Sequence, residues 1–335
     1  MKHFLALAEL APGEIAELLS LARRLESQPE PRALAGKILG LLFLNPSLRT
    51  LSSFQAAMAR LGGSSFVVTP GHGTWQFETR RGVAMDGAAA EHVREGIPVL
   101  ASYCDALGIR AFAEGKSLEA DLADAQFLAM QALSDKPVIN LESAIDHPCQ
   151  ALAAWKTLDD LRVPEHARFV LSWVPHPRAL PLAVPAAILD MAARRGHEVV
   201  VLRPDGYALP ISLMDRARAV AAGTGGSISE TSDREVLAGA RVVYAKEWGS
   251  TGHYGDAEAD AALRAGLRDW QLTEALLKRC AADCRVMHCL PVRRNVAIAD
   301  EVLDGPRSSV LAEARNRLSV QMAVLHRLLA SGTRE

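Results

Sequence analysis

Eight short, continuous apolar runs, each bordered by a stretch of helical periodicity, constrain this chain more than any other feature of its sequence. They are KILGLLFLN (Lys37 to Asn45), SSFVVTP (Ser64 to Pro70), DALGIRAF (Asp105 to Phe112), PVINLE (Pro137 to Glu142), RFVLSWV (Arg168 to Val174), EVVVLRP (Glu198 to Pro204), ARVVYAK (Ala240 to Lys246) and CRVMHCL (Cys284 to Leu290). A strand that is apolar on both faces must be covered on both, which happens where helices pack on either side of a parallel sheet. The pattern predicts an α/β fold built from βαβ units. A helical stretch beginning at His147 and running through QALAAWKTLDDL separates the runs into two sets of four, and Pro164 precedes the second set. A length of 335 residues suits two domains. The expected division is residues 1–150 and residues 151–317, each with a parallel sheet flanked by helices. The stretch from Val310 to Ser331 repeats Leu318, Met322, Leu325 and Leu329 at helical spacing. A helix over 318–335 is expected to rejoin the first domain.

Composition then narrows the function. With 37 Lys and Arg against 39 Asp and Glu the net charge is -2, so there is no basic stripe for an extended polyanion and no nucleic-acid partner is expected. The five cysteines are an odd number, and Cys280 and Cys284 lack the paired spacing of a zinc site, so reduced thiols and no metal are expected. The opening MKHFLALAELAPGE has neither a signal-peptide core nor the length to span a bilayer. A cytoplasmic protein without a membrane partner is the expectation.

In doubly wound sheets ligands sit beyond the carboxyl ends of the strands. Four such ends carry polar clusters. In FLNPSLRT a strand runs into Ser47, Leu48, Arg49 and Thr50 at a helix start, where backbone N–H groups, two hydroxyls and a guanidinium can cradle a phosphate. The same residues suit an ordinary N-cap beside a surface arginine. In DHPCQ, His147 and Gln150 lie three apart with Pro148 at a permitted first helical position, a pair that could polarise a carbonyl and hold an adjacent amide; a capping histidine is the plain alternative. PHPR follows the fifth run. In HCLPVRRN, Cys289 is either a nucleophile or inert packing, the carbonyls of Cys289 and Leu290 could accept from an amine or amide, and Arg293 could serve a carboxylate. No GxGxxG follows any run, which argues against a nicotinamide-linked dehydrogenase.

FLNPSLRT, Arg110 in GIRAF, HPCQ and HCLPVRRN, in this order and spacing, resemble the aspartate/ornithine carbamoyltransferase superfamily along essentially the whole chain. The resemblance implies a carbamoyl phosphate domain, an amino-acid domain, interdomain helices and a homotrimer, with no cofactor. It implies that Ser47, Leu48, Arg49 and Thr50 bind phosphate, and that Arg110, His147, Gln150, Cys289, Leu290 and Arg317 complete the carbamoyl phosphate contacts. Arg110, His147, Gln150 and Cys289 are the expected catalytic set, with Glu142 helping to place the second substrate. Leu51 stands where the family usually has a further arginine, which removes one charge beside the phosphate loop.

Departures from an ordinary ornithine carbamoyltransferase point to the acceptor. That enzyme has an Asp-x-x-x-Ser-Met-Gly loop whose acid receives a free α-ammonium; here the loop reads YAKEWG, and Lys246 would repel an ammonium and attract a carboxylate. An acylated α-nitrogen is implied. YAKEWG, the GTW around Trp75, the segment from Met85 to His92 and the proline-rich WVPHPRALPLAVP resemble the N-acylornithine branch, whose second domain is a trefoil knot and in which Trp75 would reach a neighbouring subunit's carbamoyl phosphate site. Ala90 stands where acetyl-specific members have a glutamate that would repel a succinyl carboxylate. His176, Arg178, Lys246, Leu290 and Arg293 are the further acylornithine contacts, with Arg178 or Arg293 facing the succinyl carboxylate. The expected reaction carbamoylates the δ-amine of N-succinyl-L-ornithine, in arginine biosynthesis; N-acetyl-L-ornithine is the alternative acceptor, and a catalytically silent scaffold is the rival of a different class.

Overall fold

A computed structural model describes residues 1–330; the final part of the expected 318–335 helix, residues 331–335, lies outside the described residues. The chain divides into two α/β units. The first comprises Met1–Glu114, Glu119–Cys149 and the chain from Arg317, and the second comprises Gly115–Leu118 and Gln150–Asn316. Two of the divisions fall inside the long helices Pro148–Asp160 and Val310–Leu329.

In the first unit, β1 (Ile38–Phe43), β2 (Ser64–Val68), β5 (Ala106–Arg110) and β6 (Val138–Glu142) form a parallel sheet in the order β2-β1-β5-β6. Leu42, Ile97, Leu107, Ile109, Phe127 and Val138 pack in its core. Gly40, in the middle of β1, is required by close approach: a Cβ there would lie 2.9 Å from the Phe66 ring and 3.1 Å from the Cys104 sulfur. A bulge between Ile109 and Arg110 shifts the register so that Arg110 stands opposite Glu142. Two short segments that carry no apolar run, β3 (Phe77–Glu78) and β4 (Glu91–His92), pair in parallel beside the loop that carries Trp75.

The second unit has five strands rather than the expected four. They are β7 (Arg168–Trp173), β8 (Glu198–Leu202), β9 (Ser227–Thr231), β10 (Val242–Lys246) and β11 (Arg285–Met287), in the order β11-β10-β7-β8-β9, all parallel. The additional strand β9 reads SISET; it sits at the sheet edge, where polar residues are tolerated, and so has no apolar run. The last run also yields a shorter strand than expected, because the chain leaves the sheet after Met287 and Leu290 takes up left-handed backbone at φ 56°. Two buried indoles tie the proline-rich segment down: Trp173 Nε1 donates to the Trp248 carbonyl at 3.0 Å, and Trp248 Nε1 to the Tyr207 carbonyl at 2.9 Å. Among the described residues no helix is long and apolar enough to cross a membrane.

Candidate active site

The first unit gathers cations at the ends of its strands. Ser47 caps helix Leu48–Arg60 by accepting from Thr50 N at 3.3 Å, so the capping geometry is real. It coexists with a polar cradle. The Thr50 hydroxyl oxygen accepts from the Ser47 hydroxyl at 3.0 Å and from Arg317 Nη2 at 2.7 Å. With both lone pairs engaged, Thr50 keeps its own proton to donate. The Leu48 side chain is exposed, leaving its backbone as the part that belongs to the helix N-terminus.

Arg110 and His147 are buried with Glu142. Arg110 Nη1 lies 2.6 Å from Glu142 Oε2, and its guanidinium sits over the Phe112 ring at 4.5 Å. His147 Nε2 is 3.6 Å from the same carboxylate oxygen, while the buried His147 Nδ1 and Arg110 Nε have no hydrogen-bond partner among the described residues. Burial pushes the His147 pKa well below its ordinary value, and the charges of Arg317, Arg110 and Arg49 push it further down. Three guanidinium groups therefore act on one neutral imidazole. Burial pushes the neighbouring Cys149 thiol up to about 12, so it stays protonated. Glu142, expected to place the acceptor, is here engaged by Arg110.

In the second unit, Gln150 Nε2 donates to Glu313 Oε1 at 2.6 Å, and the Tyr244 hydroxyl donates to the same oxygen at 2.7 Å. Lys246 and Glu247 form a buried ion pair at 3.2 Å, and His288 Nε2 reaches the other Glu247 oxygen at 3.2 Å. Leu290 N donates to His288 Nδ1 at 2.9 Å, which places the imidazole proton on Nε2, toward Glu247. Both ring nitrogens of His288 are thus engaged, and it does not serve as a base for the half-exposed Cys289 beside it. His176 Nδ1 accepts from the backbone of Arg178 at 3.1 Å and so braces that loop. Arg178 and Arg293 are exposed and, among the described residues, have no ion-pair partner, whereas the adjacent Arg294 is held by Asp300 and Asp304. In the first unit, Trp75 is 56% exposed and its Nε1 donates to Glu91 Oε2 at 2.6 Å, which brings it beside the exposed Ala90.

Glu247, His288, Tyr244 and Glu313 were not singled out by sequence reasoning. Glu247 had a signal, since it follows Lys246 in YAKEWG. Glu313 had none, because an acid in the first turn of a helix is ordinarily a solvated residue.

Cations, hydroxyls and a neutral imidazole thus gather at strand ends of the first unit, and the second unit has a buried lysine at the end of one of its strands. The chain belongs to the aspartate/ornithine carbamoyltransferase family: residues 2–160 match its carbamoyl-P binding domain and residues 184–328 its Asp/Orn binding domain. It is similar to the N-acetylornithine carbamoyltransferase of Xanthomonas campestris pv. campestris, 37% identical over 98% of either chain, and to the N-succinylornithine carbamoyltransferase of Bacteroides fragilis, 36% identical over 88% of this chain and 87% of that one. Its fold matches the crystal structure of an acetylornithine transcarbamylase complexed with acetylcitrulline, with a TM-score of 0.93 at 35% identity over 98% of this chain and 99% of that one. Within the family it falls in the N-acylornithine branch, and it is a carbamoyltransferase.

Proposed function

We propose that the protein transfers the carbamoyl group of carbamoyl phosphate to the δ-amine of N-succinyl-L-ornithine, giving N-succinyl-L-citrulline and phosphate, as a step of arginine biosynthesis. The observation that carries the first half is the convergence of Arg49, Arg110 and Arg317 on His147 and Thr50. Arg49, the Ser47–Thr50 helix start and Arg317 take the phosphate. Thr50, Arg110 and the neutral His147 donate to the carbonyl oxygen as charge develops on it. The amine adds to the carbamoyl carbon and phosphate departs, so positioning and electrostatic stabilisation supply the catalysis. Lys246 holds the α-carboxylate of the acceptor.

Ala90 and the exposed cations Arg178 and Arg293, which have no ion-pair partner among the described residues, support the succinyl group. In keeping with Ala90, a mutant of an N-acetyl-L-ornithine transcarbamylase with one glutamate changed to alanine was crystallised with carbamyl phosphate and N-succinyl-L-norvaline. The acetyl group is favoured by a different observation: the relatives matched over nearly the whole chain include several named N-acetylornithine carbamoyltransferases. Equimolar N-succinyl- and N-acetyl-L-ornithine competing for limiting carbamoyl phosphate decide between them, since the product ratio by mass spectrometry is the ratio of kcat/KM. Succinylcitrulline in excess is expected; acetylcitrulline in excess overturns the succinyl assignment. Arg178→Ala is expected to raise KM for succinylornithine about tenfold or more and to leave KM for acetylornithine within twofold, because only the former has a distal carboxylate to lose its partner. Equal losses on both rule that role out.

The same reading includes a homotrimer, with Trp75 entering a neighbouring subunit's site, and a knotted second domain. Gly249 N donates to the Leu180 carbonyl at 3.0 Å, which joins the YAKEWG loop to the proline-rich segment. For pH dependence, burial and the nearby guanidinium groups hold His147 neutral in the folded protein. Below the pKa of the δ-amine, kcat/KM for the acceptor is therefore expected to rise about tenfold per pH unit, to a plateau, with no inflection near the ordinary histidine value of about 6.5. An inflection there that vanishes in His147→Asn contradicts a neutral His147.

A further inference from the structure

Asp260 and Arg264 stand one turn apart on helix Ala257–Ala265, and both are buried, whereas such a pair on a helix ordinarily faces water. Arg264 Nε donates to Asp260 Oδ2 at 3.1 Å, and its Nη2 donates to the same oxygen. A buried ion pair is weak evidence for stability, since an apolar pair of similar volume avoids the desolvation cost. What the charged pair supplies is direction. Asp260 Oδ1 accepts from the Ser250 backbone N–H at 2.7 Å, in the loop that follows Lys246, and Arg264 Nη1 donates to the His176 carbonyl at 3.1 Å, in the loop that carries Arg178. The two loops also touch each other: a Cβ added at Gly249 would lie 3.0 Å from the Ala179 Cβ. All of these residues belong to the second unit.

We propose that Arg264, held by Asp260, is a positioning residue that fixes the loop from His176 to Arg178 and so aims Arg178 at the distal carboxylate of a succinylated acceptor. Arg178 is exposed and sits on a long flexible stem, and ordering a loose loop on binding costs affinity, so an anchored backbone makes it a sharper reader of a carboxylate. The loop lies among the acceptor residues: burial lowers the His176 pKa first, and the charges that act on the imidazole include those of Glu247, Lys246 and Arg293. The proposal rests on the succinylornithine reading above and deepens it: the cation that selects the acyl group is placed by a buried pair that touches no substrate.

The test compares two probes by isothermal titration calorimetry on the full chain with carbamoyl phosphate present: N-succinyl-L-norvaline and N-acetyl-L-norvaline, which lack the δ-amine, so that nothing is transferred. Arg264→Lys keeps a cation beside Asp260 but loses the fork that also reaches the His176 carbonyl. It is expected to weaken N-succinyl-L-norvaline about five- to tenfold and to leave N-acetyl-L-norvaline within about twofold, since only the former has a distal carboxylate for a misplaced Arg178 to lose. In an Arg178→Ala background the same substitution is expected to change N-succinyl-L-norvaline binding by less than about twofold. A merely structural role would weaken both probes alike; that result, or the same loss with and without Arg178, overturns the proposal. Should Arg264→Lys fail to fold, the isosteric Asp260→Asn, which loosens Arg264 and keeps the acceptor for Ser250 N, is expected to weaken N-succinyl-L-norvaline alone by about two- to threefold; no change there overturns it equally. A wild-type protein that binds the probes with this pattern but carbamoylates no acylornithine refutes the proposed function and leaves the Arg264 assignment standing.

Discussion

Arg49→Ala is expected to lower kcat/KM for carbamoyl phosphate by about 10²–10³-fold, the loss seen when one preorganised donor to developing charge is removed. Arg49 stands in the first turn of helix Leu48–Arg60 and is one of three guanidinium groups whose field lowers the His147 pKa. The chain has Leu51 where a further arginine is usual in this family, so fewer cations share the phosphate and each should count for more. Arg49 is only half-buried, and its removal is expected to leave the melting temperature within a few degrees. Arg110 would be a poorer choice, because truncating it leaves the Glu142 carboxylate buried beside its lost partner, which costs about 3–5 kcal/mol of stability and mixes folding with catalysis. Steady-state kinetics with carbamoyl phosphate varied at saturating acylornithine gives the result, and a change under about fivefold means that the phosphate lies elsewhere.

Glu247→Ala is expected to destabilise the protein by about 3–5 kcal/mol, because it leaves the buried Lys246 ammonium without the carboxylate it pairs with and takes the acceptor from His288 Nε2. The effect has a pH signature. Burial alone would raise the Glu247 pKa, but the Lys246 ammonium, followed by His288 and His176, outweighs burial and holds it well below the usual carboxylate range. A carboxylate whose folded pKa lies below its unfolded value of about 4.3 contributes stability that is fully present above that value and is lost as pH falls from there toward the folded value. Urea unfolding at pH 7 and at pH 3.5 should therefore show the wild type losing more of its stability on acidification than Glu247→Ala. A destabilisation under about 1 kcal/mol at pH 7, or parallel pH profiles, contradicts the assignment.

The eight apolar runs were enough to read the α/β class, because strands buried on both faces need no partner information to be recognised. The strand they miss, β9, lies at a sheet edge, where SISET can be polar and still pair. The first-unit cluster was legible at the level of residue type, since Ser47, Arg49, Thr50 and His147 sit just beyond strand ends and Arg110 is the last residue of β5. Their charge balance was not. Glu142 meets Arg110 because the pairing of β5 with β6 slips by one residue at Leu141 of β6, and no local pattern announces such a slip. Of the two arginines in HCLPVRRN, local sequence does not say which one is held by Asp300 and Asp304; it is Arg294. The Glu313–Gln150 contact spans 163 residues and joins two helix starts, a separation at which periodicity carries no information.

The most direct measurement is ureido product formation from carbamoyl phosphate with N-succinyl-, N-acetyl- and free L-ornithine assayed in parallel. Lys246 at the end of β10, where an ordinary ornithine enzyme has an acid, predicts that an acylated ornithine is carbamoylated with a kcat/KM at least about 10²-fold above that of free ornithine, whose α-ammonium meets like charge. Dominant activity on free ornithine, or no ureido product from any of the three, contradicts it.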